Sequence, residues 1–441
     1  MSNDHPTEIP SGLIRQRPVY IVDGARTPFL KVRGKPGPFS PVDLAVQCGR
    51  PLLLRQDIPA DAFDQVIIGC VNVPTGEMNP ARVAAQRLGM GAGMPAFTVQ
   101  INCGSGMQSI DTAFRYIGAG LGDLVLAGGT ESLSHAPLLL NPQAAAWFAD
   151  LGRARSIADR LRVLARWRPS FLKPVLGLKQ GLTDPVAGLN MGQTAEVLAH
   201  LFAISREDAD RYALSSHQRL ARAQTEGWLD EEIEPAVSLD GEIYRQDDGV
   251  RPDTTLDALG RLDPVFERPF GQVTAGNSSQ VTDGASWVIL ASEDALKKYR
   301  LTPRAVIIDS AWAALEPRIM GLAPVLSVTA LLKRWKAAPA DIDLWEINEA
   351  FAAQVLSCLA AWEDAGFCEA VLGLDRPLGQ IDRERLNIDG GAISLGHPVG
   401  ASGNRIVLHL VNALHRKDLK VGIASECIGG GQSGAMLIEK V

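Results

Sequence analysis

Apolar residues recur along this chain in two alternating rhythms. Short β-branched runs end at glycine or a turn, and longer stretches carry apolar positions three and four apart. VYIVD at Val19–Asp23, closed by Gly24, predicts a buried strand, and AVIID at Ala305–Asp309 repeats it. IPADAFD, starting at Ile58 and running on to VIIG, resembles APADID, starting at Ala338 and running on to LWEIN: in both, a P-A-D turn follows a helix and precedes an apolar strand. Cys103-Gly-Ser-Gly opens a predicted helix that leads to LVLAGG, and Gly400-Ala-Ser-Gly opens one that leads to VGIAS. The spacing from Cys103 to Gly128 and from Gly400 to Ser425 is the same, 25 residues. A duplicated α/β domain accounts for these matches, with strands alternating with helices in mostly parallel, layered sheets. About 141–270 reads as a polar, helical insert.

Composition narrows the class. Of 441 residues 46% are hydrophobic, enough for one large core or two joined ones. A net charge of −7 argues against general nucleic-acid binding, and no apolar run approaches the ~18–20 residues of a membrane span. The opening MSNDHPTEIPSGLIRQRP lacks the apolar core of a secretory signal and is expected to be a flexible arm. Six cysteines without a C-x-x-C pair suit a reducing compartment, so a cytoplasmic location is expected. Seven histidines without ligand spacing predict no metal. From Leu151 to Gln180 six Arg and two Lys face Asp159 alone, a local charge of +7. Ile157, Leu161 and Leu164 follow helical spacing there, with Arg160 and Arg166 off the stripe. Such a segment is either a solvated helix packed on the body by its apolar stripe, or a funnel for an anionic ligand, a membrane-surface contact or a docking face for a partner subunit.

Four places carry candidate chemistry. In TVQINCGSGM a strand runs into Cys103 at a helix N-terminus, where unpaired N–H groups and the helix dipole favour a thiolate. In GGAISLGHPVGASG, His397 sits on a glycine-rich loop that opens a second helix, a candidate base for a thiol. The repeat places these two loops at equivalent points of related half-domains, so pseudo-twofold packing would bring them together. In ASECIGGGQSGA the glycines satisfy G-x-G-x-x-G after a strand, but no helix can follow to hold a pyrophosphate. Cys427 before three glycines instead suggests an acid/base thiol beside exposed backbone donors. In EINEAFAAQ, the Asn348-Glu349 pair reads first as a helix cap and second as a group orienting a water or an oxyanion.

Together these segments resemble the thiolase family of acyl-CoA acyltransferases. The resemblance runs through GARTPF, CGSGMQS, AGGTES, NMGQTAE, TAGNSS, NEAFAAQ, GGAISLGHPVGASG and CIGGGQSGA, nearly the whole chain. It implies a duplicated five-layered α/β/α/β/α fold: an N-terminal thiolase domain at 18–140 plus 271–297, an inserted helical loop domain at 141–270, and a C-terminal thiolase domain at 298–441. It implies an acylated nucleophile at Cys103, its base at His397, and a proton-transferring thiol at Cys427. One oxyanion hole would come from His397 and a water held by Asn348, the other from the N–H groups of Cys103 and Gly429. Ser279 matches a pantetheine contact, Met191 borders the acyl pocket, and Arg251 aligns near the nucleotide end of coenzyme A. Coenzyme A and acyl-CoA are then substrates, with no permanently bound cofactor, and the assembly is a homodimer or homotetramer.

The implied reaction is cleavage of 3-ketoacyl-CoA by CoA, as in fatty-acid β-oxidation, or Claisen condensation of two acetyl-CoA molecules. Two departures bear on the acyl group. Asn190-Met191-Gly192 replaces the His-Met-Gly of many biosynthetic thiolases. The long insert resembles the β subunit of the trifunctional fatty-acid oxidation complex, which brings an α subunit or a membrane surface at 151–180 into view, while NEAF departs from that subgroup's HEAF. Two alternatives are a ketosynthase-type condensing enzyme and a non-catalytic acyl-CoA-binding or scaffold subunit.

Overall fold

The computed structural model describes residues 17–441; the N-terminal arm lies almost wholly outside them. Ten strands form one mixed sheet in the order Leu344–Ile347, Val421–Ile428, Gln432–Lys440, Ala305–Ala314, Val19–Arg26, Thr282–Ser292, Leu124–Ser132, Gln65–Gly69 and Ala96–Val99, with Leu30–Lys31 beside Thr282–Ser292. The two copies meet in its middle, where Tyr20 pairs with Val306 and Ile21 with Ala305. Tyr20 and Val306 hold the same place in VYIVD and AVIID, so a local twofold axis passes through this pair. Both strands also shift register at the same step, between Ile21 and Asp23 and between Ile307 and Asp309.

The sheet is not mostly parallel, as the alternation had suggested. Parallel pairing is confined to Gln65–Gly69 with its two neighbours and to Leu344–Ile347 with Val421–Ile428. The other ladders of this sheet are antiparallel. Each copy ends by folding its last strand back on the preceding one, and a tight turn joins only antiparallel strands. In the second copy that turn is Gly429–Gly431. In the first, the chain leaves after Ser132 and returns at Thr282, so the insert stands where the glycine turn stands in its twin.

Helices Pro41–Leu54 and Pro80–Arg87 cover one outer face around Trp287, and helices Pro324–Trp335 and Ala352–Glu363 cover the other around Trp345 and Trp362. Helices Ser105–Gly118 and Val399–Lys417 fill the middle layer between the half-sheets. Five α/β/α/β/α layers result. The stripe Ile406, Leu410 and Leu414 is buried as expected, but so is every residue from Val399 to Leu414, because that helix is covered on all sides. Glycines let the central helices cross near their N-termini. A Cβ on Gly106 would stand 2.8 Å from the Asn404 nitrogen, and one on Gly403 2.6 Å from the Met107 nitrogen.

The insert is anchored by charge. The Arg26 guanidinium, fully buried, donates to Glu232 at 2.7 Å and to Asp247 at 2.7 and 2.9 Å, both carboxylates coming from the insert. The basic stretch is arranged otherwise than its stripe suggested. Helix Ile157–Leu164 touches helix Pro142–Arg153 through Val163, whose carbonyl accepts from Trp147 Nε1 at 2.8 Å. Ile157, Leu161 and Leu164 are exposed, by 80%, 62% and 47%, instead of packing on the body. One eight-residue helix resting on another has a single side to bury, and Val163 takes it.

Candidate active site

Cys103 stands between strand Ala96–Val99 and helix Ser105–Gly118 on a locked turn. Asn102 is left-handed (φ 48°), a conformation asparagine tolerates better than most residues. Its Nδ2 donates to the Gly429 carbonyl at 2.8 Å. Ser105 Oγ accepts from the Ile101 nitrogen at 2.9 Å and donates to the Asn102 carbonyl at 2.7 Å. The turn of one copy is thereby tied to the glycine hairpin of the other.

His397 is equally constrained. Its N–H donates to the Gln280 carbonyl at 2.9 Å, and Gly396 before it adopts φ 112° where a Cβ would lie 2.2 Å from Thr282 Cγ2. Nδ1 is 2.6 Å from Ser402 Oγ, which also lies 3.2 Å from the Pro398 carbonyl. With the hydroxyl hydrogen assigned to that carbonyl, Ser402 accepts from Nδ1–H, and Nε2 presents a bare lone pair. Nε2 is buried and has no partner among the described residues.

Burial sets the protonation states. It drives the His397 pKa down from 6.5 to about 4, with Arg405 adding to the shift, so the ring is neutral. Burial pushes the Cys103 thiol up to about 12, helped by Glu426. The N–H groups of Gly429 and of Cys103 itself act the other way and are outweighed. The thiolate expected from the helix N-terminus is thus not the resting form: desolvation exceeds what those donors supply. Cys427 is pushed well above its ordinary value by burial and by Cys103, Cys358 and Glu426, and is a neutral thiol.

One cavity of about 170 Å³ is lined by Cys103, His397 and Cys427 together with Met191, Ser279 and Phe351. The motifs around it are stitched by backbone. The Ser279 nitrogen donates to Ala350 and the Ala352 nitrogen to Asn277, so TAGNSS lies along NEAF and continues to His397 through Gln280. Glu349 supports this from behind, accepting from Tyr212, Ser216, Asn387 and the Ile393 nitrogen. A second cavity of about 700 Å³ meets the first at Cys103 and includes Gly429.

Asn348 and Arg251 line neither cavity. Asn348 is no helix cap: helix Ala352–Glu363 begins four residues later, capped at Phe351 without a side-chain bond. Its nitrogen instead prolongs the sheet by donating to Ser425 at 2.9 Å. Both atoms of its carboxamide are buried without a partner among the described residues, which suits a group that orients a water or a substrate atom. Arg251 is exposed and donates from its backbone to His217 Nδ1 at 3.2 Å. Three residues of the site went unnoticed in the sequence: Asn102, Ser402 and Gln280. An asparagine just before a candidate nucleophile and a serine one helical turn beyond a candidate base were the available signals. Among the described residues no three His, Cys, Asp or Glu side chains are grouped to hold a metal.

Two family models cover this arrangement: "Thiolase, N-terminal domain" over residues 19–294 and "Thiolase, C-terminal domain" over 301–440. The chain belongs to the thiolase family. A beta-ketoadipyl-CoA thiolase of Pseudomonas aeruginosa is 40% identical, matched over 96% of this chain and 100% of its own length. The mitochondrial trifunctional enzyme subunit beta of Bos taurus is 36% identical over 96% of this chain and 88% of its own. The crystal structure of human mitochondrial 3-ketoacyl-CoA thiolase in complex with CoA superposes with TM-score 0.82 at 36% identity, covering 96% of this chain and 98% of that one. This thiolase is accordingly an acyl-CoA acyltransferase. A ketosynthase-type or non-catalytic reading is not favoured. Its site offers what acyl transfer through cysteine requires: a nucleophile, a base with a free lone pair, a second neutral thiol, and backbone donors at the nucleophile.

Proposed function

We propose that this thiolase cleaves 3-ketoacyl-CoA with CoA through an acyl-Cys103 intermediate. His397 Nε2 takes the Cys103 proton as the sulfur attacks the 3-keto carbon, and the N–H groups of Cys103 and Gly429 receive the oxyanion. When the C2–C3 bond breaks, the electron pair passes to the acetyl-CoA fragment as an enolate. The neutral Cys427 thiol protonates its carbon, while His397 and Asn348 stabilise its oxygen. Incoming CoA then attacks the thioester, yields its proton to the Cys427 thiolate, and releases acyl-CoA. The His397 proton returns to the Cys103 sulfur. Condensation of two acetyl-CoA molecules is the same path reversed. The observation that carries this reading is the one cavity shared by Cys103, His397 and Cys427, with His397 Nδ1 held 2.6 Å from Ser402 Oγ. Thiolysis of acetoacetyl-CoA and of a longer 3-ketoacyl-CoA by wild type and Cys103→Ala tests it. Equal activity of the two proteins would refute it.

Ser279, in the wall of that cavity, is proposed to hold the pantetheine, Met191, which lines both cavities, to border the acyl group, and Arg251 to hold the nucleotide end of CoA. Lys31 and Arg251 act on each other electrostatically near Arg33, a grouping of cations that suits phosphates. The thiolase-domain division given above and a role in β-oxidation belong to the same proposal. The proposed setting is a cytoplasmic homodimer or homotetramer. Six free cysteines support the reducing compartment, and the edge strand Ala96–Val99 supports an interface; light scattering tests the assembly. The segment 151–180 is proposed to dock on an anionic membrane surface, supported by its charge and its exposed Ile157, Leu161 and Trp167. Co-sedimentation with anionic against zwitterionic vesicles tests that. Binding to neither, with a complex formed on a candidate α subunit, would assign the face to protein docking instead.

A further inference from the structure

Two cavities share Cys103, and they differ in character. The smaller contains the base and the second thiol. The larger, about 700 Å³, is bounded by Val71, Leu182, Val186, Pro317 and Val399 and reaches the nucleophile beside Gly429. Cys103 itself lines this space beside Gly429 and Gly430, so a chain carried on its sulfur opens directly onto it. That volume far exceeds the needs of an acetyl group.

The lining is selective in charge. Apart from the Cys103 thiol, the only ionisable side chain among the described lining residues is Asp184, which is 5% exposed. Its Oδ1 accepts from the Val186 and Ala187 nitrogens, each at 2.8 Å. The loop it opens is closed on itself: the Asp184 nitrogen donates to Leu189 at 2.8 Å and the Met191 nitrogen to Leu182 at 3.0 Å. This carboxylate is therefore fixed in the wall and cannot swing away from an incoming chain. The smaller cavity adds no Lys or Arg.

Resting on the thiolase reading above, we propose that the larger cavity is the channel for the acyl tail. It accepts uncharged alkyl chains and rejects 3-ketoacyl thioesters whose chain ends in a carboxylate. A methyl terminus gains contact with Leu182, Val186 and Pro317. A carboxylate terminus finds no cation among the described lining residues and meets the like charge of Asp184. Asp184 and Leu182 are thus specificity-determining residues.

The experiment compares chains of equal length: 3-ketohexanoyl-CoA against 3-ketoadipyl-CoA, and 3-ketodecanoyl-CoA against its ω-carboxylated analogue, with acetoacetyl-CoA alongside. The expected kcat/KM favours the alkyl member by about 100-fold or more in each pair, the scale at which a site discriminates by unpaired groups. Asp184→Asn keeps the Oδ1 acceptor of the loop, and Leu182→Arg supplies a cation. Each should move the alkyl-to-carboxylate ratio toward the carboxylate by about tenfold. Comparable rates within a pair, or poor turnover of every chain longer than acetoacetyl, overturn the inference while leaving the thiolase reading intact. No cleavage of any substrate, acetoacetyl-CoA included, overturns the thiolase reading and this inference with it.

Discussion

Replacing Ser402 by alanine tests the site at its least conspicuous point. The hydroxyl accepts the Nδ1 proton of His397 at 2.6 Å in a buried setting. Its removal leaves Nδ1–H without a partner, at a cost of about 1–3 kcal/mol for a buried donor. The ring escapes that cost by moving its proton to Nε2, which presents a donor to Cys103 where a base is needed. Taking about 2 kcal/mol as the loss of the productive tautomer, kcat/KM for thiolysis should fall roughly 30-fold. The rate at which iodoacetamide alkylates Cys103 should fall in step, because His397 is the proton's destination in both reactions. Ser402→Thr keeps the hydroxyl and should recover most of both rates. Melting temperature serves as the control, since Ser402 also donates to the Pro398 carbonyl at the start of the helix. If Ser402→Ala stays within threefold of wild type in turnover and alkylation, the tautomer argument is wrong.

Asn348→Ala should lower kcat by about 100-fold or more with a much smaller change in KM, as for loss of one oxyanion donor; equal losses in both would mark it as structural. Burial pushes the Cys103 thiol up to about 12, so, with its proton passing to the neutral His397, alkylation should be flat from pH 7 to 9 in wild type and quicken about tenfold per pH unit in His397→Asn, and a tenfold rise per unit in wild type would show the proton leaving to solvent instead. A Cβ on Gly403 would stand 2.0 Å from Glu426 Oε1 and 2.6 Å from the Met107 nitrogen; Gly403→Ala should cost about 1–3 kcal/mol of stability, and an unchanged melting temperature would refute the close crossing. The His397 pKa falls from 6.5 to about 4 on folding, so the unfolded chain binds a proton there first and stability is lost as pH drops through that interval. His397→Asn should therefore flatten the fall in melting temperature between pH 7 and 4.5, and an identical slope in the two proteins would contradict the buried neutral ring.

Local chemistry was legible wherever a residue's neighbours in sequence determine its state. The twin strands at Val19 and Ala305, the helices opened at Cys103 and Gly400, and the lack of a helix after CIGGGQSGA all follow from short-range patterns of turn residues and β-branched runs. The duplication was equally visible, because equal spacings survive in the sequence itself. Strand direction was not. Parallel and antiparallel partners present the same alternation of apolar residues, and only the pairing of Tyr20 with Val306 and the return of Thr282–Ser292 decide it.

The state of the catalytic thiol also lay beyond the sequence. Its helix N-terminus could be read from the glycines, but whether dipole or desolvation prevails depends on how many atoms surround the sulfur, including Glu426 from the other half of the molecule. The same holds for the exposed stripe of Ile157, Leu161 and Leu164: helical periodicity tells which residues share a face, not what that face meets. By itself the sequence determined the duplicated α/β plan, the candidate nucleophile, base and second thiol, and the family they belong to. The tertiary structure decided the neutrality of Cys103 and His397, the proton on Nδ1, the division of the active site into two cavities, and the lone carboxylate in the larger one. Each of those depends on distances between groups far apart in the chain, which packing fixes and local pattern does not.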